Sequence, residues 1–123
     1  MNGFSKYDGN GNVIYSQGVG SLGEVVHHFY SYDNFGRRIS YKKQDSVNLF
    51  EEKTAYNDDG SKIIRSYDIP SYTFYKRLYN RNGRMIEETI IDHNGNIVHK
   101  VYDPYNDKYN VYRTREPFCI SIT

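Results

Sequence analysis

A five-residue turn signature recurs along this chain and constrains its fold more than any other feature. It reads Tyr7-Asp8-Gly9-Asn10-Gly11, Tyr32-Asp33-Asn34-Phe35-Gly36, Tyr56-Asn57-Asp58-Asp59-Gly60, Tyr79-Asn80-Arg81-Asn82-Gly83 and Ile91-Asp92-His93-Asn94-Gly95. A sixth copy, Tyr102-Asp103-Pro104-Tyr105-Asn106, closes on Asn, the residue after Gly most tolerant of a left-handed backbone. Three positions beyond each closing residue stands an apolar or aromatic one: Ile14, Ile39, Ile63, Ile86, Val98 and Tyr109. Asp or Asn at the second position accepts from the backbone two residues on and starts a turn. Gly at the fifth takes a positive φ at no cost and closes a hairpin through a bulge.

The closing glycines fall 25, 24, 23 and 12 residues apart. Two strands of about six to eight residues plus two turns fill the longer period. The halved spacing at Gly95 puts the same chemistry on the opposite side of a meander. The other turns on that side are expected to be irregular, at Gln17 to Gly23, Gln44 to Asn48 and Asp68 to Tyr72 around Pro70. Nine turns and about ten strands follow. Composition agrees: Val and Ile supply 19 residues against 3 Leu and 1 Ala, a bias toward strand over helix. With 14 tyrosines among the 46 hydrophobic residues, a large oily interior is not expected. The expected fold of residues 1–123 is therefore one all-β domain, an antiparallel meander of repeated β-hairpins forming a thin, curved sheet laced by tyrosines. His28, Tyr30 and Tyr32 should share one face of their strand, and Val25, His27 and Phe29 the other.

The unit resembles the YD repeat of Rhs and teneurin-type proteins, Tyr-Asp-x-x-Gly-Arg followed by an apolar residue. Tyr32-Asp33-Asn34-Phe35-Gly36-Arg37-Arg38-Ile39 matches it fully, and Tyr79-Asn80-Arg81-Asn82-Gly83-Arg84-Met85-Ile86 is close. The chain is also similar to small bacterial antitoxin-like proteins with short Tyr-x-x-Asn-Gly-x repeats. The likeness covers roughly residues 4 to 110. In large Rhs proteins such repeats form a shell around a toxin; five or six are too few to enclose anything. The resemblance thus implies a partner or remnant of such a system.

Gly18-Val19-Gly20-Ser21-Leu22-Gly23 has the form of a dinucleotide fingerprint after an apolar strand. Ser21 and Glu24 have capping-box spacing, and Leu22, Val25, Val26 and Phe29 have helical spacing, so a short helix near residues 21–30 competes with a strand. The β-branched Val25-Val26 pair and the repeat at Tyr32 oppose the helix. No second βαβ unit follows, and a glycine-rich loop is expected rather than a nucleotide site. His27 and His28 point to opposite faces of a strand, and His93 and His99 lack partners at metal spacing. Asp8-Gly9-Asn10-Gly11-Asn12 suggests a calcium loop until Val19 is found where Glu is needed. Glu51-Glu52 and Glu87-Glu88 straddle their strands; the expected role is solubilising charge, with Glu52 and Glu88 left able to meet across the sheet. Cys119 sits in an apolar terminal segment, where a thiol more often packs than reacts.

No catalytic, cofactor-binding or metal-ligating residue is expected, and the chain is read as no enzyme. The densest aromatic and basic groups are candidate partner-binding residues: Tyr72, Tyr75 and Arg77, beside Phe74, and Tyr105, Tyr109, Tyr112 and Arg113. Pro104 and the missing glycine set the last repeat apart as an end cap or a contact surface. A formal charge of +1 predicts no nucleic-acid partner. Neither a signal peptide nor an apolar stretch near eighteen residues is seen, and with one cysteine a cytoplasmic location without membrane contact is expected. The family resemblance implies an immunity or antitoxin protein that sterically blocks a cognate bacterial toxin. The alternative is a carbohydrate-binding or surface-adhesion module, since tyrosine-rich sheets also stack on sugars.

Overall fold

The structure, a computed structural model, describes residues 3–103, 105–106 and 108–115, without the Arg115 side chain. Its ten strands are β1 (Phe4–Tyr7), β2 (Val13–Val19), β3 (Val25–Tyr32), β4 (Arg38–Gln44), β5 (Leu49–Tyr56), β6 (Lys62–Ile69), β7 (Thr73–Tyr79), β8 (Met85–Ile91), β9 (Asn96–Tyr102) and β10 (Tyr109–Arg115). They form one sheet in sequence order, every neighbour antiparallel, with β1 and β10 at open edges. No helix occurs among the described residues.

The repeated signature builds the turns as its chemistry requires. Asp8 Oδ1 accepts from the amides of Asn10 and Asn12, both at 2.9 Å. The Gly11 amide donates to the Asp8 carbonyl at 3.1 Å, and Gly11 itself sits at φ 84°. Asp33, Asn80 and Asp92 repeat the pattern on the amides two and four residues on. In the 57–61 turn Asp59 supplies the oxygen instead, accepting from the Ser61 amide at 2.8 Å. The register slips by a residue between Lys6 and Tyr7, Ser31 and Tyr32, and Leu78 and Tyr79. The expected bulge therefore accompanies three of the hairpins, while Tyr56 and Lys62 pair without a slip.

Residues 20–24, expected to be irregular or to open a helix, are another copy of the same turn. The Gly20 amide donates to the Glu24 carbonyl at 2.8 Å, the Gly23 amide to the Gly20 carbonyl at 3.0 Å, and Gly23 lies at φ 82°. Gly20 stands where the other copies carry Asp or Asn. Glu24 compensates by reaching back: its Oε2 accepts from the Leu22 amide at 3.0 Å. A Cβ on Gly20 would lie 1.9 Å from Glu24 Oε1, so this carboxylate fills the space an Asp would use. The Glu24 carboxylate thus does accept from a backbone amide, but from that of Leu22 rather than Ser21 and in a hairpin turn rather than a helix, and β3 starts at Val25. The sixth copy also departs from expectation. Its closure runs from the Asp103 amide to the Lys108 carbonyl, one residue longer than the others, and Asn106 does not take a positive φ. Pro104 lies outside the described residues, as does Cys119.

The repeat tyrosine has a structural task. Tyr32, ending β3, donates its hydroxyl to the Val13 carbonyl at 2.8 Å. Tyr56, ending β5, does the same to the Arg38 carbonyl at 2.9 Å. Each one ties its hairpin to the first strand residue after the preceding repeat turn. That help matters because among the described residues no second layer covers the sheet. Val26 is the one buried apolar side chain among the described residues, beside two buried polar ones, Ser66 and Glu88. Stability comes from cross-strand pairs rather than from an oil-filled core.

Candidate functional site

Pairing assigns every regular strand residue to one of two open faces, named here for adjacent residues of β6. The Ser66 face carries the row Tyr30, Tyr41, Glu52, Ser66, Tyr75 and Ile90, each paired to the next. The Arg65 face carries Tyr15, Phe29, Lys42, Glu51, Tyr67 and Phe74 in the same way. His28 and Tyr30 lie on the first face and Val25, His27 and Phe29 on the second, as the alternation predicts.

On the Ser66 face, aromatic contacts dominate the first half. Tyr41 lies between Tyr30 (ring centroids 5.2 Å apart) and Phe50 (6.1 Å). The His28 Nδ1 lies 2.8 Å from the Tyr41 hydroxyl. Burial, then the positive charge of Lys43 and neighbouring His27, lower the His28 pKa below 6.5. Burial, with Tyr30 beside it, raises that of Tyr41. Arg38 stacks over Tyr41 at 5.2 Å and reaches Glu52 at 3.3 Å.

The second half is held by a charge row. Arg77, Glu88 and Lys100 stand opposite one another on β7, β8 and β9. Arg77 Nε is 2.6 Å and Lys100 Nζ 3.6 Å from the two oxygens of Glu88, whose side chain is 9% exposed. Glu88 is therefore a buried structural anion, contrary to its expected role as solubilising charge. Glu52 and Glu88 do not meet: three strand spacings, about 14 Å, separate β5 from β8. Ser66 Oγ is buried without a hydrogen-bond partner.

The seven candidate residues do not form one cluster. Tyr75, Arg77, Tyr109 and Arg113 share the Ser66 face: Tyr75 lies under the Arg77 guanidinium (4.9 Å), Tyr109 packs on Tyr102 (4.9 Å), and Arg113 is exposed beside Val98. Tyr112 is on the Arg65 face against His99 (6.3 Å). Tyr72, in the 70–72 connection at φ 53°, turns its ring edge toward Tyr67 on that face. Tyr105 projects from the last turn, 91% exposed. The parity of positions within a strand would have separated Arg113 from Tyr112. The sharing of a face between strands depends on register, which the sequence leaves open.

Sequence reasoning singled out Tyr72, Tyr112, Val25, His27 and Phe29, which lie on the Arg65 face, but missed its aromatic ladder and its row of cations. There Phe4, Tyr15 and Phe29 form a ladder (5.6 and 5.1 Å), with Lys6 over Tyr15 and Lys42 over Phe29. Depressions of ≈ 810, ≈ 350 and ≈ 210 Å³ succeed one another across this face, sharing Phe29 between the first two and Glu51 and Lys53 between the last two. A usable signal existed. Lys53, Arg65 and Lys76 are 12 and 11 residues apart, about half the repeat, the separation of partners in the middle of successive antiparallel strands, though the exact pairing still depends on register.

Among the described residues no three His, Cys, Asp or Glu side chains converge to hold a metal ion, and no helix is long and apolar enough to cross a membrane. No family model, curated protein or solved structure matches the chain.

Proposed function

We propose that the chain is a YD-repeat-like binding protein without catalytic chemistry of its own, and that it neutralises a cognate bacterial toxin in the cytoplasm by steric blockade. The observation that carries this reading is a ten-stranded sheet with, among the described residues, one buried apolar side chain and no element covering either face. Tyrosine suits such contacts, giving large, stiff area with a polar tip. The docking side is the Ser66 face of β7 to β10, which carries Tyr75 and Arg77 at one end and Tyr109 and Arg113 at the other. An inhibitory interface there would bury on the order of 1,200–2,000 Å² in total.

Affinity purification from the native cell, followed by mass spectrometry and a growth-rescue assay with the captured protein, tests the reading. A stoichiometric toxin domain whose lethality is suppressed by the wild type, and not by a Tyr109→Ala/Arg113→Ala variant, is expected. Absence of such a partner, with retention on a polysaccharide column, would replace the reading with the carbohydrate-binding module.

A further inference from the structure

The near-neutral total charge conceals a sharp division. The ten strands hold 12 of the 16 Lys and Arg but 5 of the 15 Asp and Glu. The acids are spent on the turns, where Asp8, Asp33, Asp45, Asp59 and Asp92 accept turn amides. The sheet surface is therefore basic although the chain is not.

Both faces share the excess, and on the Arg65 face part of it stands without a carboxylate partner. Lys53, Arg65 and Lys76 stand directly opposite one another on β5, β6 and β7. None of the three makes an ion pair among the described residues. Like charges directly opposite destabilise a sheet. On the other face the chain avoids this cost by placing Glu88 between Arg77 and Lys100; here it places a third cation between two others. The row continues in donors, with Ser40 beside Lys53 and Thr89 and His99 beyond Lys76, and contains no carboxylate. Glu51 and Glu87 are on this face, in the rows to either side.

One step along the strands, about 6.8 Å away, runs the row of Phe29, Lys42, Glu51, Tyr67 and Phe74, in which Tyr67 and Phe74 are adjacent rings. The depression of ≈ 210 Å³ lies between the two rows, walled by Lys53 and Arg65 on one side and Tyr67 and Phe74 on the other, with Glu51 at its margin. A line of cations and hydroxyls beside a pair of adjacent rings is the arrangement that follows a phosphate backbone while bases stack. Paired bases would not reach the rings, whereas unpaired ones splay onto an open sheet. Glu51 adds an acceptor for the amino group of a base.

We propose that the Arg65 face binds single-stranded nucleic acid, with Lys53, Arg65 and Lys76 on successive phosphates and Tyr67 and Phe74 beneath bases. The strand crosses the sheet at right angles to β5–β7. This site is independent of the toxin reading, which uses the opposite face.

The test is fluorescence anisotropy of the full chain with labelled oligo(dT) and oligo(U) of about twelve nucleotides over a series of salt concentrations. Saturable binding is expected, weakening with log salt at a slope near −2, as three phosphate contacts on a single strand give. The Lys53→Gln/Arg65→Gln/Lys76→Gln variant should lose at least ~30-fold in affinity and most of the salt slope. Tyr67→Ala/Phe74→Ala should lose roughly 10-fold or more with the slope kept. A Lys43→Gln/Lys62→Gln variant, altered on the opposite face, should bind as the wild type does; circular dichroism checks that each variant is folded. The proposal is overturned if the wild type does not bind at low salt, or if the folded triple variant binds equally well. It is likewise overturned if poly-L-glutamate of similar length displaces the oligonucleotide as readily as unlabelled oligonucleotide, since the row would then read an acidic polypeptide.

Discussion

Removing a cation from the middle of the Lys53–Arg65–Lys76 row should make this protein more stable. Directly opposed residues have Cβ atoms roughly 5 Å apart, and long side chains splay their charges to about 7 Å. In water two unit charges at that distance repel by about 0.6 kcal/mol, so Arg65, with a neighbour on each side, carries roughly 1.2 kcal/mol before screening. With a Debye length of about 8 Å at roughly 0.15 M salt, near 0.5 kcal/mol survives; at roughly 0.01 M, with about 30 Å, close to 1 kcal/mol does. For a chain of this size that corresponds to increases in Tm of about 2 °C and 4 °C. Thermal melts of Arg65→Gln against wild type at the two salt concentrations measure it directly. Glu88→Gln provides the opposite sign. Its carboxylate is held by Arg77 at 2.6 Å and by Lys100 at 3.6 Å, and neutralising it leaves two facing cations. A loss of about 2–3 kcal/mol is expected, toward the lower end for buried pairs because both cations are partly exposed. An Arg65→Gln variant that is destabilised at both salts, or whose gain does not grow as salt falls, would show that the row is not under electrostatic strain. The tolerance of that strain would then need no ligand to explain it.

Other outcomes follow from the turns and the histidine. Glu24→Ala should cost on the order of 1 kcal/mol in the wild type, by stranding the Leu22 amide, but little in a Gly20→Asp background, where the new carboxylate takes over; a double-mutant cycle by urea denaturation reads the coupling. Additivity of the two changes would refute the account of that turn. Gly36→Ala should cost roughly 1–2 kcal/mol at φ 79° although nothing lies within 4 Å of the added methyl, because the cost is in the backbone; equal stability in the same assay would count against it. The carboxyls of Asp8 and Asp45 are held below 3.8 by turn amides and those of Asp59 and Asp92 first by the side chains of Ser61 and Asn96; at Asp33 desolvation is the largest single influence and pushes upward, but the Arg37 amide and guanidinium with the Phe35 amide together hold the carboxyl below 3.8. Their stabilisation is complete above the unfolded value and fades as pH falls through the lowered one, so acid unfolding belongs below about pH 4. His28 titrates in the other window. Burial lowers its pKa, the unfolded chain binds the proton more readily, and stability falls as pH drops from above 6.5 toward the lowered value. A His28→Gln variant should flatten the decline in stability that begins as pH falls below 6.5.

The strands and turns were legible because the repeat encodes them locally. Asp8, Asp33 and Asp92 need only the two amides that follow, and Gly11 or Gly36 only its own φ, so sequence distance and spatial distance coincide. Residues 20–24 were misread for the same local reason. Glu24 substitutes from the far side of the turn for an Asp missing at Gly20, and a Ser-x-x-Glu string looks identical whether its carboxylate caps a helix or a hairpin. Alternation within one strand was legible too, as His28 and Phe29 on opposite faces show.

What a single strand cannot reveal is its register with the next. Arg77 is satisfied because Glu88 lies opposite it rather than Glu87; a slip of one residue would move Glu88 to the other face and leave Arg77 beside the uncharged Thr89 or the wrong carboxylate. The same dependence hid the row of Lys53, Arg65 and Lys76. Each is an ordinary surface cation on its own strand, and their sum is cancelled on paper by aspartates committed to turns some distance away. Over a screening length of about 8 Å that cancellation does not reach the middle of the sheet. The field an approaching ligand meets is set by the register of β5, β6 and β7, not by the formal charge of +1. A meander whose turns consume its acids therefore presents a basic surface at any near-neutral total, and the charge of such a chain has to be counted face by face.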